Sequence, residues 1–231
     1  SHTACSSRSQ ADARFCPACS IDYAFPLMGE EQTVPYDQLL RDARERFDAA
    51  DDLTVAVEEE FALLDPATLD LVNRFEDVKA AAAGAPLAAN LAGELIASEI
   101  EVKTGKQPSL TDAISALPER RAQLAALVEP LGLLLGTTGT HPWASWKDQR
   151  IIDTPHYRRN DEVLRYVVWK NNTFGFHAHV GIRGADRAVR VVSALRNWLP
   201  ELLAVSASSP FAEAVDMVWQ PGGHGLTKGD V

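Results

Sequence analysis

Residues Thr54–Pro66 read TVAVEEEFALLDP. With Leu53 they form a period-two run that predicts a β-strand, closed by the turn signal Asp65-Pro66. Successive side chains on a strand point to opposite faces. Val55, Val57, Phe61 and Leu63 therefore make an apolar face, while Glu58 and Glu60 share the other with Ala56 and Ala62. Glu59 falls among the large apolar side chains, which calls for a bulge that re-aims it or for a buried partner.

The same device recurs twice. Ile96–Thr104 (IASEIEVKT), closed by Gly105, places Glu99, Glu101 and Lys103 on a face with Ala97, against Ile100 and Val102. Phe174–Ile182 (FGFHAHVGI) places His177 and His179 with Gly175 and Gly181, against Phe176, Ala178, Val180 and Ile182. A solvated face of an antiparallel sheet also alternates polar with apolar. Acidic residues are depleted in strands, however, and carboxylates paired beside Ala and Gly leave room for a ligand.

If the three faces converge, four carboxylates and two imidazoles meet, and that much negative charge needs cations. Mostly oxygen donors with a little imidazole suit Mg²⁺ or Mn²⁺ better than zinc. Two hard cations in an acidic site typically bind ATP phosphates and offset charge during phosphoryl transfer. There is no Walker-type glycine loop or dinucleotide fingerprint, so a nucleotide is expected to bind through the metals.

The remaining pattern is helical. Tyr36–Ala50 has amphipathic spacing, and Ser109-Leu-Thr-Asp112 is a capping box opening a helix to about Leu135, with Pro118 as a kink or restart. Gly136–Trp146 is a loop by composition, Pro155–Lys170 a second amphipathic helix, and Ala185–Trp198 a helix that Pro200 restarts. Strands separated by helices without a strict βαβ beat predict an α+β fold.

The chain has 231 residues, 22 basic and 32 acidic, a net charge of −10 and 46% hydrophobic residues, the composition of a folded globular protein. That charge disfavours nucleic acid and anionic lipid as partners. No run approaches the ~20 apolar residues of a bilayer span. The first residues lack the apolar core of a secretory signal, so a cytoplasmic location is expected. Residues 1–51 read as a poorly ordered leader with one short helix and hold all three cysteines, Cys5, Cys16 and Cys19. The Cys16-Pro-Ala-Cys19 pair has no second pair to complete a zinc site.

Six motifs in order, TVAVEEEFALLDP (54–66), GELIASEIEVKTG (93–105), GTHPWA (139–144), IIDTPHYRR (151–159), NNTFGFHAHVGIRGADRA (171–188) and LPELLAVSASSPF (199–211), resemble the glutamate–cysteine ligase type 2 family, in its bacterial branch of YbdK-type carboxylate–amine ligases. The resemblance implies a catalytic domain similar to glutamine synthetase, a curved and mainly antiparallel sheet with helices packed on one face. It implies Mg²⁺ (or Mn²⁺) and ATP as cofactors. It also implies a reaction in which glutamate becomes an acyl phosphate and is attacked by cysteine or another amine. On this resemblance Glu58, Glu60, Glu99 and Glu101 ligate metal, His177 sits at metal or phosphate, His179 supports it, and His141 shapes a substrate pocket. Residues 52–211 then correspond to the N-terminal portion of the ligase domain, and residues 212–231, AEAVDMVWQPGGHGLTKGDV, form a divergent tail. The domain is expected to be incomplete at its C-terminus, with exposed strand edges that favour self-association into a homo-oligomer. Two other readings stay open: an inactive fragment that still binds Mg-nucleotide or pairs with a complete subunit, and a two-metal hydrolase.

Overall fold

A computed structural model describes residues 35–216. The leader cysteines and the glycine-rich Gly222–Gly225 lie outside the described residues. The boundary between the chain's two units falls after Ala43, within the first helix, α1 (Tyr36–Asp48).

The elements that follow are β1 (Val55–Leu64), α2 (Phe75–Ala81), β2 (Leu91–Ala92), β3 (Glu99–Lys103), α3 (Leu110–Val128), β4 (Leu134–Gly136), α4 (Pro155–Leu164), α5 (Tyr166–Trp169), β5 (Phe176–Val180), α6 (Ala185–Leu195), α7 (Leu199–Ser206), β6 (Phe211–Ala212) and β7 (Val215–Asp216). The fold is α+β. β1 is the spine of an open antiparallel sheet: it pairs with β3 on one edge and with β5 and then β4 on the other, while β2 adds to β3. β6 and β7 form a separate two-stranded pair.

The apolar face of the spine builds the core. Phe61, Leu63, Ile100 and Val102 pack with Phe75 and Val78 of α2 and with Leu124 and Val128 of α3. Val55 and Val57 meet Ala113 and Leu117 of α3. The capping box forms as the sequence predicts, with Ser109 Oγ accepting from the Asp112 amide at 3.2 Å and donating to its carboxylate at 2.7 Å.

Glu59 settles its ambiguity by pairing. β1 and β3 keep an unbroken register with no bulge, and the buried Glu59 carboxylate receives both ends of the Arg121 guanidinium fork, at 2.7 and 2.6 Å. Such bidentate pairs are the strong ones, because two parallel charge-assisted bonds fix geometry as well as charge.

Several elements depart from the sequence pattern. The helix opened by Ser109 continues through Pro118 but ends at Val128, because the turn Glu129–Leu131 and a left-handed Gly132 (φ 69°) stop it. That frees Leu134–Gly136 to pair with Ala62–Leu64 as a strand inside the expected helix and loop. Pro155–Lys170 is two helices, broken where Arg165 takes a positive φ of 46°. The apolar side of β5 is left half open by the described residues: Phe176 is 59% and Val180 53% exposed.

Removing the Arg121 fork isolates a buried charge, which costs more than replacing both partners by apolar groups. Arg121→Met is expected to lower unfolding free energy by about 2 kcal/mol, and Glu59→Met/Arg121→Met to lose less. Urea denaturation of the two variants checks this, and equal stability of wild type and Arg121→Met would refute the role assigned to the pair.

Candidate metal centre

The antiparallel register lines up the polar faces of three strands. Across β3, β1 and β5 it sets Lys103, Glu58 and His177 in one row, and one step along it sets Glu101 opposite Glu60. The next pair is Glu99 with Ala62, and His179 lies opposite Ala56. The sheet therefore brings Glu58, Glu60, Glu99, Glu101, His177 and His179 onto one face.

Two groups of three donors come together there, with all ligand atoms in each within 4.8 Å of one another: Glu58, Glu101 and His177, and Glu60, Glu94 and Glu101. That spacing fits a small cation, since opposite ligands on an octahedral Mg²⁺ stand ~4.2 Å apart. Glu94, which precedes β3 in the GELIASE stretch, is absent from the sequence-based set because it lies on no alternating strand. Glu99 lies outside both groups and meets the Glu60 carboxyl instead.

The acids are buried to unequal depth, and their electrostatics diverge. Glu99 is 1% and Glu101 2% exposed; Glu99 Oε1 has no hydrogen-bond partner among the described residues, and Glu101 Oε1 is met by the Lys103 ammonium at 2.6 Å. Burial, reinforced by the hydrogen bond and charge of Glu60, pushes the Glu99 carboxyl up to about 10. Partial burial, then the charges of Glu60 and Glu101, hold Glu94 above the usual range. Glu58 goes the other way. Against the upward push of burial, hydrogen bonds from His179 at 2.9 Å and Lys103 at 3.0 Å hold it below the ordinary value. Buried carboxylates crowded together with few partners are the condition a divalent cation relieves.

The neighbouring backbone is shaped to the acids. Gly175 donates its amide to Glu60 Oε2 and accepts from the Glu60 amide at 3.0 Å. A Cβ at Gly175 would lie 2.9 Å from His177 Nε2 and 3.1 Å from Glu60 Oε2, so a side chain there would press on the site. Tyr157 donates to Gly93 O at 2.9 Å, next to Glu94, and burial followed by the nearby carboxylates pushes its phenol up to about 12.

His177 Nδ1 stands 3.7 Å from both Glu58 and Glu60. His141 is buried and committed to its loop. Its Nε2 bonds Leu69 O at 2.9 Å, its Nδ1 accepts from the Ala144 amide at 3.1 Å, and Trp143 packs edge-on at 4.7 Å. A cleft of about 300 Å³, with no signal in the sequence, is lined by Ile96, Trp146, Ile151, Asp161, Val168 and Trp169. Trp146 lies parallel to Trp169 at 6.2 Å. Ser98, between Ile96 and Glu99, donates to the cleft residue Gln149 at 2.6 Å and ties the cleft to the acidic face. Its mixture of aromatic walls and a few polar groups suits the organic part of a small ligand.

Among known proteins, the family model described as Glutamate-cysteine ligase family 2 (GCS2) matches residues 54–221. A Rubrobacter xylanophilus protein provisionally named glutamate–cysteine ligase 2-3 is 41% identical over 171 residues, covering 74% of this chain and 47% of its own length. A Bordetella avium protein provisionally named glutamate–cysteine ligase 2 is 32% identical over 166 residues, 72% of this chain and 41% of its own. A similarly named protein of Mycobacterium sp. strain KMS is 36% identical over 166 residues, 71% and 43%. The chain thus spans less than half the length of these relatives.

The Glu99 shift sets a pH dependence. A carboxyl whose folded value lies above its unfolded value stabilises the fold fully below the unfolded value, near 4.5, and that contribution is lost as pH rises toward about 10. With divalent cations chelated, unfolding free energy is expected to fall between pH 5 and 8, by at most about 1.4 kcal/mol per unit for one proton. Glu99→Gln should flatten the slope. Denaturation series at several pH values read it, and equal slopes for the two proteins would reject a protonated Glu99.

Proposed function

The chain belongs to glutamate–cysteine ligase family 2, and from that premise we propose that it carries the acidic catalytic face of an ATP-dependent carboxylate–amine ligase. The observation that carries the reading is the meeting, on one face of the sheet, of two three-donor groups that share the fully buried Glu101 carboxyl. A fold keeps such groups when a cation binds them.

In this reading Glu58, Glu101 and His177 hold one Mg²⁺ or Mn²⁺, and Glu60, Glu94 and Glu101 hold another. Bound there, the ions would neutralise the phosphates of ATP and offset charge as the terminal phosphoryl group moves. His179 fixes the Glu58 carboxylate by its 2.9 Å contact, the outer support that orients a ligand. Gly175 does the same for Glu60 through its amide. Glu99 supports Glu60, and Tyr157 steadies the turn that carries Glu94. His141 braces the loop that holds Trp143, and in this reading that loop shapes a substrate pocket.

The substrates are a carboxylate, glutamate by the names of the relatives, and an amine, cysteine or another. The carboxylate takes the terminal phosphoryl group of ATP, and the amine then displaces phosphate from the acyl phosphate to leave an amide, ADP and phosphate. The cleft beside Ile96 has room for the organic part of one of these ligands. The cytoplasm, where ATP and amino acids are abundant, is the fitting location. No described helix is long and apolar enough to cross a membrane.

Calorimetric titration of ATP in saturating Mg²⁺ is expected to show binding that Glu58→Gln/Glu60→Gln abolishes. ADP release should require both a carboxylate and an amine. Absence of Mg·ATP binding by the folded wild type would overturn the reading, and ATP-independent hydrolysis of phosphoesters would favour a two-metal hydrolase instead.

A further inference from the structure

Among the described residues, the cationic partners of the acidic face are His177, His179 and one ammonium, that of Lys103. The Lys103 Nζ stands 3.0 Å from Glu58 Oε1 and 2.6 Å from Glu101 Oε1. Those two residues, with His177, are one of the two three-donor groups. The ammonium therefore sits on the side chains a cation would take, and it is placed there by register, since Lys103 is the direct cross-strand partner of Glu58.

We propose that Lys103 is a tethered counter-ion. It neutralises the Glu58–Glu101 pair in the metal-free protein, must leave for a divalent cation to bind, and so sets the cation concentration at which the site loads. The inference rests on the metal reading above and adds to it a competitor built into the chain.

Three physical points support it. First, a lysine ammonium is a compact point charge with three donors, able to satisfy two carboxylates at once. Second, a monovalent and a divalent cation cannot share oxygens a few ångströms apart without strong repulsion. Third, displacement needs no backbone movement. The Lys103 side chain is 40% exposed, and its flexible four-carbon stem lets the head swing into water while the stem stays on the sheet. Glu58 is only one-fifth exposed, whereas Glu101 is almost wholly buried, so the ion pair closes the outer side of the site.

The competition is quantitative. If Lys103 holds the oxygens in about nine-tenths of the metal-free molecules, the apparent dissociation constant for the cation is about tenfold weaker than the intrinsic one. The ammonium is a switch between a closed, charge-balanced apo site and an open loaded one, thrown by divalent cation alone.

The test is Mn²⁺ binding to the full chain without nucleotide, read by calorimetry. Lys103→Met is expected to bind Mn²⁺ about tenfold more tightly than wild type, and Lys103→Arg, which keeps the charge, no more tightly than wild type. Unchanged or weaker binding in Lys103→Met, with wild type binding normally, would overturn the proposal and leave the metal site standing. Failure of wild type and both variants to bind Mn²⁺ would overturn the metal site and this proposal together. A readout on the wild type covers the case in which the Met variant does not fold. Acylation of Lys103 by an amine-reactive ester, followed by mass spectrometry, should rise when Mn²⁺ is added, and labelling that is unchanged or falls would count against displacement.

Discussion

A carboxylate withdrawn from water must find a cation, a hydrogen-bond donor or a proton, and the central strand pair of this sheet withdraws Glu59, Glu60, Glu99 and Glu101 within a few residues of one another. Each is met differently. Glu59, on the core side, takes the guanidinium fork of α3. Glu60 accepts the backbone amide of Gly175, Glu101 lies against the Lys103 ammonium, and Glu99 keeps its proton. The placement of α3, the close approach of the β5 strand entrance and the register of β3 all serve these four solutions.

The same constraint separates structure from function across the thickness of one sheet. On the core face the acid is neutralised by a bidentate pair, and its removal would leave a buried charge on the side of the sheet that carries Phe61, Ile100 and Val102. On the open face the compensation is provisional: a flexible lysine, two histidines at the margin and a Glu99 carboxyl whose burial favours the neutral form. Groups that can be released cheaply belong where a ligand must enter, and one carboxylate oxygen there, Glu99 Oε1, has no hydrogen-bond partner among the described residues. The acidic face thus holds stored electrostatic tension that binding of a cation relieves.

Rigidity comes from β1. As the spine it fixes Glu58 and Glu60 relative to β3 by five consecutive residue pairs and relative to β5 by five more. A ligand set built on paired strands holds its geometry more firmly than one on loops. Glu94 is the exception, carried on a turn that Tyr157 secures through Gly93. The aromatic cleft by Ile96 adjoins this frame through Ser98 and Gln149, so the hard, charged part of the site and a softer, apolar part share one wall.

The three acidic or imidazole faces were legible in the sequence because strand alternation has a period of two and carries side-chain direction with it. From that period alone Glu58, Glu60, Glu99, Glu101, His177 and His179 fall on their faces, and Glu59 stands out as an acid on the wrong side. Local signals also determined the capping box at Ser109 and the helix restart at Pro200. Other features depend on what meets what. Which strands are neighbours, and in what register, decides that Lys103 faces Glu58 and that Arg121, sixty-two residues away, answers Glu59. The short β4, the break at Arg165, the entry of Glu94 and the pairing of Trp146 with Trp169 have too few residues, or too little period, to announce themselves. The sequence by itself determined which groups share a side of each strand, because direction alternates along a chain. Only the tertiary structure decided which of those groups are partnered, protonated or left waiting, because burial and charge compensation are properties of neighbours in space.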